Sequence, residues 1–152
     1  MPVSRAANCI FCDDIRFELG NKTSLMGIYQ SDMIFGAAAP VFLPKLVIAF
    51  WLITDIEDKP SDVSVRIIAP GGAEILNTPL HRVPQESGHP EDGFRWQIHG
   101  QIQLGNITFT QDGFLECWID TETGSLRAGR VKISFAGLPE IAQLGTEDHP
   151  VA

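Results

Sequence analysis

Two thiols at Cys9 and Cys12, the carboxylates Asp13 and Asp14 and the guanidinium of Arg16 crowd into eight residues near the start of the chain. A Cys-x-x-Cys pair serves zinc or redox chemistry when the backbone turns between the two sulfurs. In an extended segment, positions i and i+3 point to opposite faces, so the pair does not converge. The remaining Cys117 and four scattered histidines supply no second pair at metal spacing. The expectation is therefore three packing cysteines, no metal and no cofactor.

Asp13 poses a sharper question. On a regular strand Phe11, Asp13, Ile15, Phe17 and Leu19 share one face, which puts a carboxylate in an apolar row. That is costly unless the charge is paired or hydrogen-bonded. Three resolutions follow: a β-bulge at Asp13-Asp14 that re-aims the side chain, a buried partnership with an arginine or backbone amides, or a functional carboxylate in a cleft.

The acidic loop Asp55-Ile56-Glu57-Asp58, with Asp62 beyond Pro60, offers oxygen ligands for calcium. It lacks the order of an EF-hand loop and contains Lys59, so a solvated turn is the simpler reading. No Gly-x-Ser-x-Gly elbow and no phosphate-binding glycine loop occurs. His99 falls in the polar row of its segment, and Trp51, Trp96 and Trp118 are read as core residues. No catalytic residue is assigned.

The segment Phe11-Cys12-Asp13-Asp14-Ile15-Arg16, continued by Lys22-x-Ser24-Leu25-Met26-Gly27-Ile28-Tyr29 and Leu43-Pro44-Lys45-Leu46, resembles a family of uncharacterised small bacterial and phage-associated domains. The resemblance covers the first third of the chain most closely. It implies a compact β domain without an assigned activity, and it marks Asp13, Asp14, Arg16 and Tyr29 as candidate structural or binding residues.

The elements that position these groups read as strands. In the segment 94–104, Phe94, Trp96, Ile98, Gly100, Ile102 and Leu104 take one parity, and Arg95, Gln97, His99, Gln101 and Gln103 take the other. From Leu46 to Ile53 both parities are apolar, as in a central or doubly covered strand. Hairpins are expected at Cys9–Leu19 with Lys22–Gln30, at Asp62–Ala69 with Ala73–Leu76, and at Gly113–Thr121 with Ser125–Phe135. The apolar stretch Ser31–Pro44 reads as a crossover between sheets, with an exposed partner-binding patch as the alternative. Pro79–Gly93 reads as a surface loop, and Pro139–Leu144 is too short to count as a helix.

About eight strands with turn signals and no alternating helices predict an all-β, antiparallel β-sandwich, immunoglobulin-like or C2-like. One domain over 8–136 is expected, between a flexible N-terminus at 1–7 and a polar, partly mobile tail at 137–152.

The chain has 152 residues, a formal charge of −8 and a pI of about 4.8. That balance disfavours nucleic acid, whose phosphates demand a basic face. No apolar run reaches membrane-span length and no secretory signal is visible, and an odd cysteine count favours a reducing compartment, hence the cytoplasm. The expected role is a non-catalytic interaction or structural module with a protein partner, including self-association through an edge strand; the alternatives are a small-ligand or calcium-binding sandwich, and an enzyme using Asp13 and Asp14.

Overall fold

The computed structural model describes residues 5–80 and 95–135. Nine strands form two sheets: β1 (Ala6–Glu18), β2 (Lys22–Tyr29), β3 (Asp32–Phe35), β4 (Val41–Asp55), β5 (Val63–Ile68), β6 (Glu74–Pro79), β7 (Arg95–Phe109), β8 (Gly113–Thr121) and β9 (Gly124–Phe135). One sheet runs β2-β1-β4-β7 and the other β3-β9-β8-β5-β6. The molecule is a β-sandwich, as the side-chain parity predicts.

Two features depart from that expectation. The stretch read as a bare crossover contains the extra strand β3, whose Met33 is buried while Ile34 faces out. β3 also pairs parallel with β9, so the second sheet is mixed rather than wholly antiparallel. The chain thus leaves the first sheet after β2, adds β3 to the second, and returns as β4.

The core lies between the sheets. Leu46, Ile48, Phe50 and Leu52 of β4 face Val63, Val65 and Ile67 of β5, Leu115, Cys117 and Ile119 of β8, and Val131 and Ile133 of β9. Phe50 pairs with Gly100 of β7, and its ring occupies the space a side chain there would need. A Cβ at Gly100 would lie 2.7 Å from the Phe50 ring. The other face of β4 is buried too, since Val47 and Ala49 are 0% and 4% exposed. Both readings of that strand, central and doubly covered, therefore hold.

The turn at Gly20-Asn21 has positive φ at both residues (79° and 59°), the conformation a tight hairpin needs. The strand start at Ala6 brings residues 6 and 7 into the first sheet, where they pair with Ile53 and Leu52. The tail at 137–152, the Pro139–Leu144 segment and the part of the surface loop from 81 onward lie outside the described residues.

Candidate functional site

The two-stranded arm made by β1 and β2 bends at Asp13. β1 pairs with β4 only as far as Cys12 opposite Val47, and beyond that point pairs with β2 alone. Gly27, across from Asp13, adopts φ +66°, a conformation an L side chain resists. Its missing side chain also leaves room for the Asp13 carboxylate, which packs directly over it.

The Tyr29 hydroxyl donates to Asp13 Oδ1 at 2.5 Å, and the Lys45 ammonium bridges Asp14. Lys45 holds the Asp14 carboxyl below the usual range, while burial together with the bond to Asp13 pushes the Tyr29 hydroxyl up to about 12. Arg16 is exposed, and its charge adds to the lowering at Asp14.

Asp13 is exposed, so neither a buried arginine partner nor an inserted residue resolves the apolar row. The pairing of β1 with β2 keeps one register through the bend. The row instead leaves the core: Phe11 is buried, whereas Phe17 and Leu19 are 70% and 94% exposed. The re-aiming foreseen for a β-bulge is achieved by bending both strands together.

The bend folds the arm back over the outer face of the first sheet. A straight β1 would carry Ile15 opposite Pro44, seven residues from Trp51, about 23 Å along the strand. Instead Ile15 and Leu25 line a hollow of about 110 Å³ with Ala49, Trp51, His99 and Gln101. Farther along the arm, Phe17, Glu18, Asn21 and Lys22 face the same His99 and Gln101 across a more polar space of about 380 Å³. This cover accounts for the burial of Ala49 on the outer face.

At the root of β1 the two sheets are tied by Arg5. Its Nε and one terminal nitrogen donate to both oxygens of Asp58 at 2.7 and 2.9 Å, and the same nitrogen reaches Glu122 at 2.6 Å. The other terminal nitrogen donates to Thr121 and Thr123 at 3.0 and 3.1 Å. Arg5 pulls Glu122 down to about 2, and the two acids raise Arg5. The hollow of about 500 Å³ beside it, lined by Thr121, Gly124, Ser125 and Leu126, thus has its cation already paired. Asp58 belongs to the acidic loop, and both its oxygens accept from Arg5, which would compete with a calcium ion for them.

Cys9 and Cys12 point to opposite faces, as extended backbone requires. Cys12 is buried, its thiol directed to the Asp14 carbonyl at 3.5 Å. Cys9 faces the second sheet, where its sulfur lies over Gly129, the register partner of Cys117, and the Cys117 thiol together with burial pushes the Cys9 thiol up. Among the described residues no group of three or more His, Cys, Asp or Glu could hold a metal.

The tryptophans divide. Trp96 is buried in the core as expected, but Trp51 is only partly buried and lines the hollow under the arm. Trp118 faces outward between the Arg66 and Arg127 guanidiniums, 5.7 and 6.0 Å from its ring, and donates to Glu116 at 2.8 Å. Parity carried the signal, because Trp118 alternates with the inward Cys117 and Ile119. Arg66 makes a paired fork to Asp120 at 2.9 and 3.0 Å, which holds that cation in place over the ring.

Residues 8–128 match the family of unknown function DUF6941, and the chain belongs to it. That places it in an uncharacterised family, in line with the resemblance carried by the first third of the sequence. No curated protein matches the chain. Among the described residues no helix is long and apolar enough to cross a membrane.

Proposed function

We propose that this chain is a non-catalytic interaction module, an immunoglobulin-like sandwich working in a reducing cytoplasm, and that it associates with a second copy of itself through the edge of β7. The observation that carries the reading is a difference among sheet edges. β2 begins at Lys22 and bends at Gly27, β3 has four residues including Asp32, and β6 carries Glu74 and ends at Pro79. Charges, proline and shortness are the devices that blunt an edge.

β7 has none of them after Arg95. It is 15 residues long, and from residue 96 to 109 it contains no charged residue and no proline. Among the described residues it pairs only with β4, which leaves one row of backbone donors and acceptors open. An antiparallel copy of an uncharged strand brings no like charges together. Two four-stranded sheets would then become one continuous sheet with no open β7 edge.

Sedimentation equilibrium tests this. The wild-type chain is expected to be a dimer at micromolar concentration, and the dimer is expected to strengthen with salt, which screens the charge of −8 on each copy. Gln101→Lys with Gln103→Lys, two exposed positions, should yield a monomer with unchanged circular dichroism. A monomeric wild type, or a dimer indifferent to the two lysines, refutes the proposal.

Against the enzymatic alternative stand the partners of its two carboxylates, since Asp13 accepts from Tyr29 and Asp14 pairs with Lys45. Small-molecule recognition has one observation in its favour, the hollow where Trp51 and Leu25 meet His99 and Gln101. Its volume suits one small planar apolar group with a polar substituent, and quenching of tryptophan emission by phenol, lost in Trp51→Phe, is the test.

A further inference from the structure

The geometry points to Cys9 and Cys117 as a peroxide-oxidisable dithiol that closes into a disulfide between the two sheets and leaves Cys12 as a thiol. Facing sheets ordinarily lie about 10 Å apart, whereas a disulfide needs α-carbons within about 7 Å. The sandwich narrows locally because Gly129 of β9, the register partner of Cys117, has no side chain to hold β1 away. Cys9 of β1 occupies the vacated space: a Cβ at Gly129 would lie 2.7 Å from Cys9 Sγ, 3.6 Å from its carbonyl oxygen and 3.9 Å from its amide nitrogen.

The Cys9 sulfur sits over Gly129, the register partner of Cys117, so the Cys117 thiol is its neighbour across the interface, and both cysteines are free. Cys12 has no such neighbour. It lies on the opposite face of β1, buried against its own strand.

The pair has an order of reaction built into its exposure. Cys9 is part-exposed and Cys117 fully buried, so a small oxidant reaches Cys9 first. The Cys9 thiolate attacks one oxygen of hydrogen peroxide, the O–O bond breaks, and the departing hydroxide takes up the thiol proton as water, leaving a sulfenic acid. Cys117 then attacks the Cys9 sulfur, the S–S bond forms, the S–O bond breaks, and the second hydroxide leaves as water with the Cys117 proton. Two thiols are oxidised and one peroxide is reduced to two waters. Burial and the Cys117 contact raise the Cys9 thiol, keeping it protonated near neutrality, so closure is slow.

The test is peptide mapping of the folded full chain after exposure to hydrogen peroxide, with free thiols alkylated in denaturant. The expected products are one peptide pair joined through Cys9 and Cys117, and alkylated Cys12. The oxidised chain should melt about 10 °C higher, because the link closes a long loop, and a dithiol reductant should reverse the shift. In Cys117→Ala the melting shift should vanish and Cys9 should accumulate as a sulfenic acid that dimedone traps. A Cys9–Cys12 link, oxidation confined to Cys12, or Cys9 passing to sulfinic acid in the wild-type chain without a link would each overturn the proposal, and the wild-type map decides even if the alanine variant does not fold.

Discussion

The Tyr29 hydroxyl and the Asp13 carboxylate meet at 2.5 Å across the bend of the β1–β2 arm, joining two strands at the point where β1 parts from β4. Tyr29 is the sole tyrosine in the chain, so tyrosinate absorbance reports on this contact alone. The folded protein should titrate with a midpoint near 12 instead of the ordinary 10. The folded state favours the neutral phenol, so its contribution to stability is complete below about pH 10 and is lost as pH rises through about 12. Asp13→Asn should move the midpoint only part of the way down, because burial is the larger cause and survives the substitution. A midpoint at 10 in the wild type would mean the contact does not form.

How far the sequence announced this arrangement depends on the range of the interaction. Parity is a local property, and it located the core face of Trp96 and Ile98 and the two-sided burial of β4. It also implies the outward Trp118, against the general tendency of tryptophan to be buried that favours a core placement. The bend was half legible: a carboxylate in an apolar row showed that the strand could not run on regularly, but the direction of the turn depends on Gly27 and Lys45, which lie on other strands. The Arg5 ties to Asp58 and Glu122 and the approach of Cys9 to Cys117 join residues more than fifty positions apart, and no local pattern encodes them. β3 was hidden because four residues, two of them edge-exposed, carry too short an alternation to be told from a loop.

Arg5 contributes to the acid limb of stability alongside Lys45 on Asp14 and Arg66 on Asp120. Its bond holds Glu122 at about 2 against an ordinary 4.5, and a lowered carboxyl stabilises the fold above its unfolded value. That share is therefore present above about pH 4.5 and is lost as pH falls toward 2. Arg5→Met should lower the melting temperature at neutral pH by about 4 °C, given partly exposed carboxylate partners, and should flatten the loss between pH 4.5 and 2. Melting curves across that range check both effects; equal slopes in the two proteins would assign the acid sensitivity elsewhere.

Gly129→Ala should be destabilising by about 1–3 kcal/mol, since the new methyl meets the Cys9 sulfur in a packed interior. Removal of that sulfur should relieve the clash, because the backbone atoms of Cys9 lie at ordinary contact distance from the new carbon. Cys9→Ala with Gly129→Ala should thus lose less than the sum of the two single substitutions. Denaturant unfolding of the four proteins forms the cycle, and strict additivity would show that the sheets do not touch at this point.

The folded-back arm makes its own demand on Leu25. This side chain is half-buried against the outer face of the first sheet, beside Ala49 and Trp51. Leu25→Asn removes the apolar contact without altering the hairpin turn, and partial burial sets the loss at about 1–2 kcal/mol. Because the arm covers Trp51 there, loosening it should admit water and shift that residue's emission to the red. The other two tryptophans would mask the change in a plain spectrum, so each protein is compared with its Trp51→Phe counterpart and the difference isolates Trp51. An unshifted difference spectrum, with stability unchanged, would show that the arm stands away from the sheet and that Ala49 owes its burial to something else.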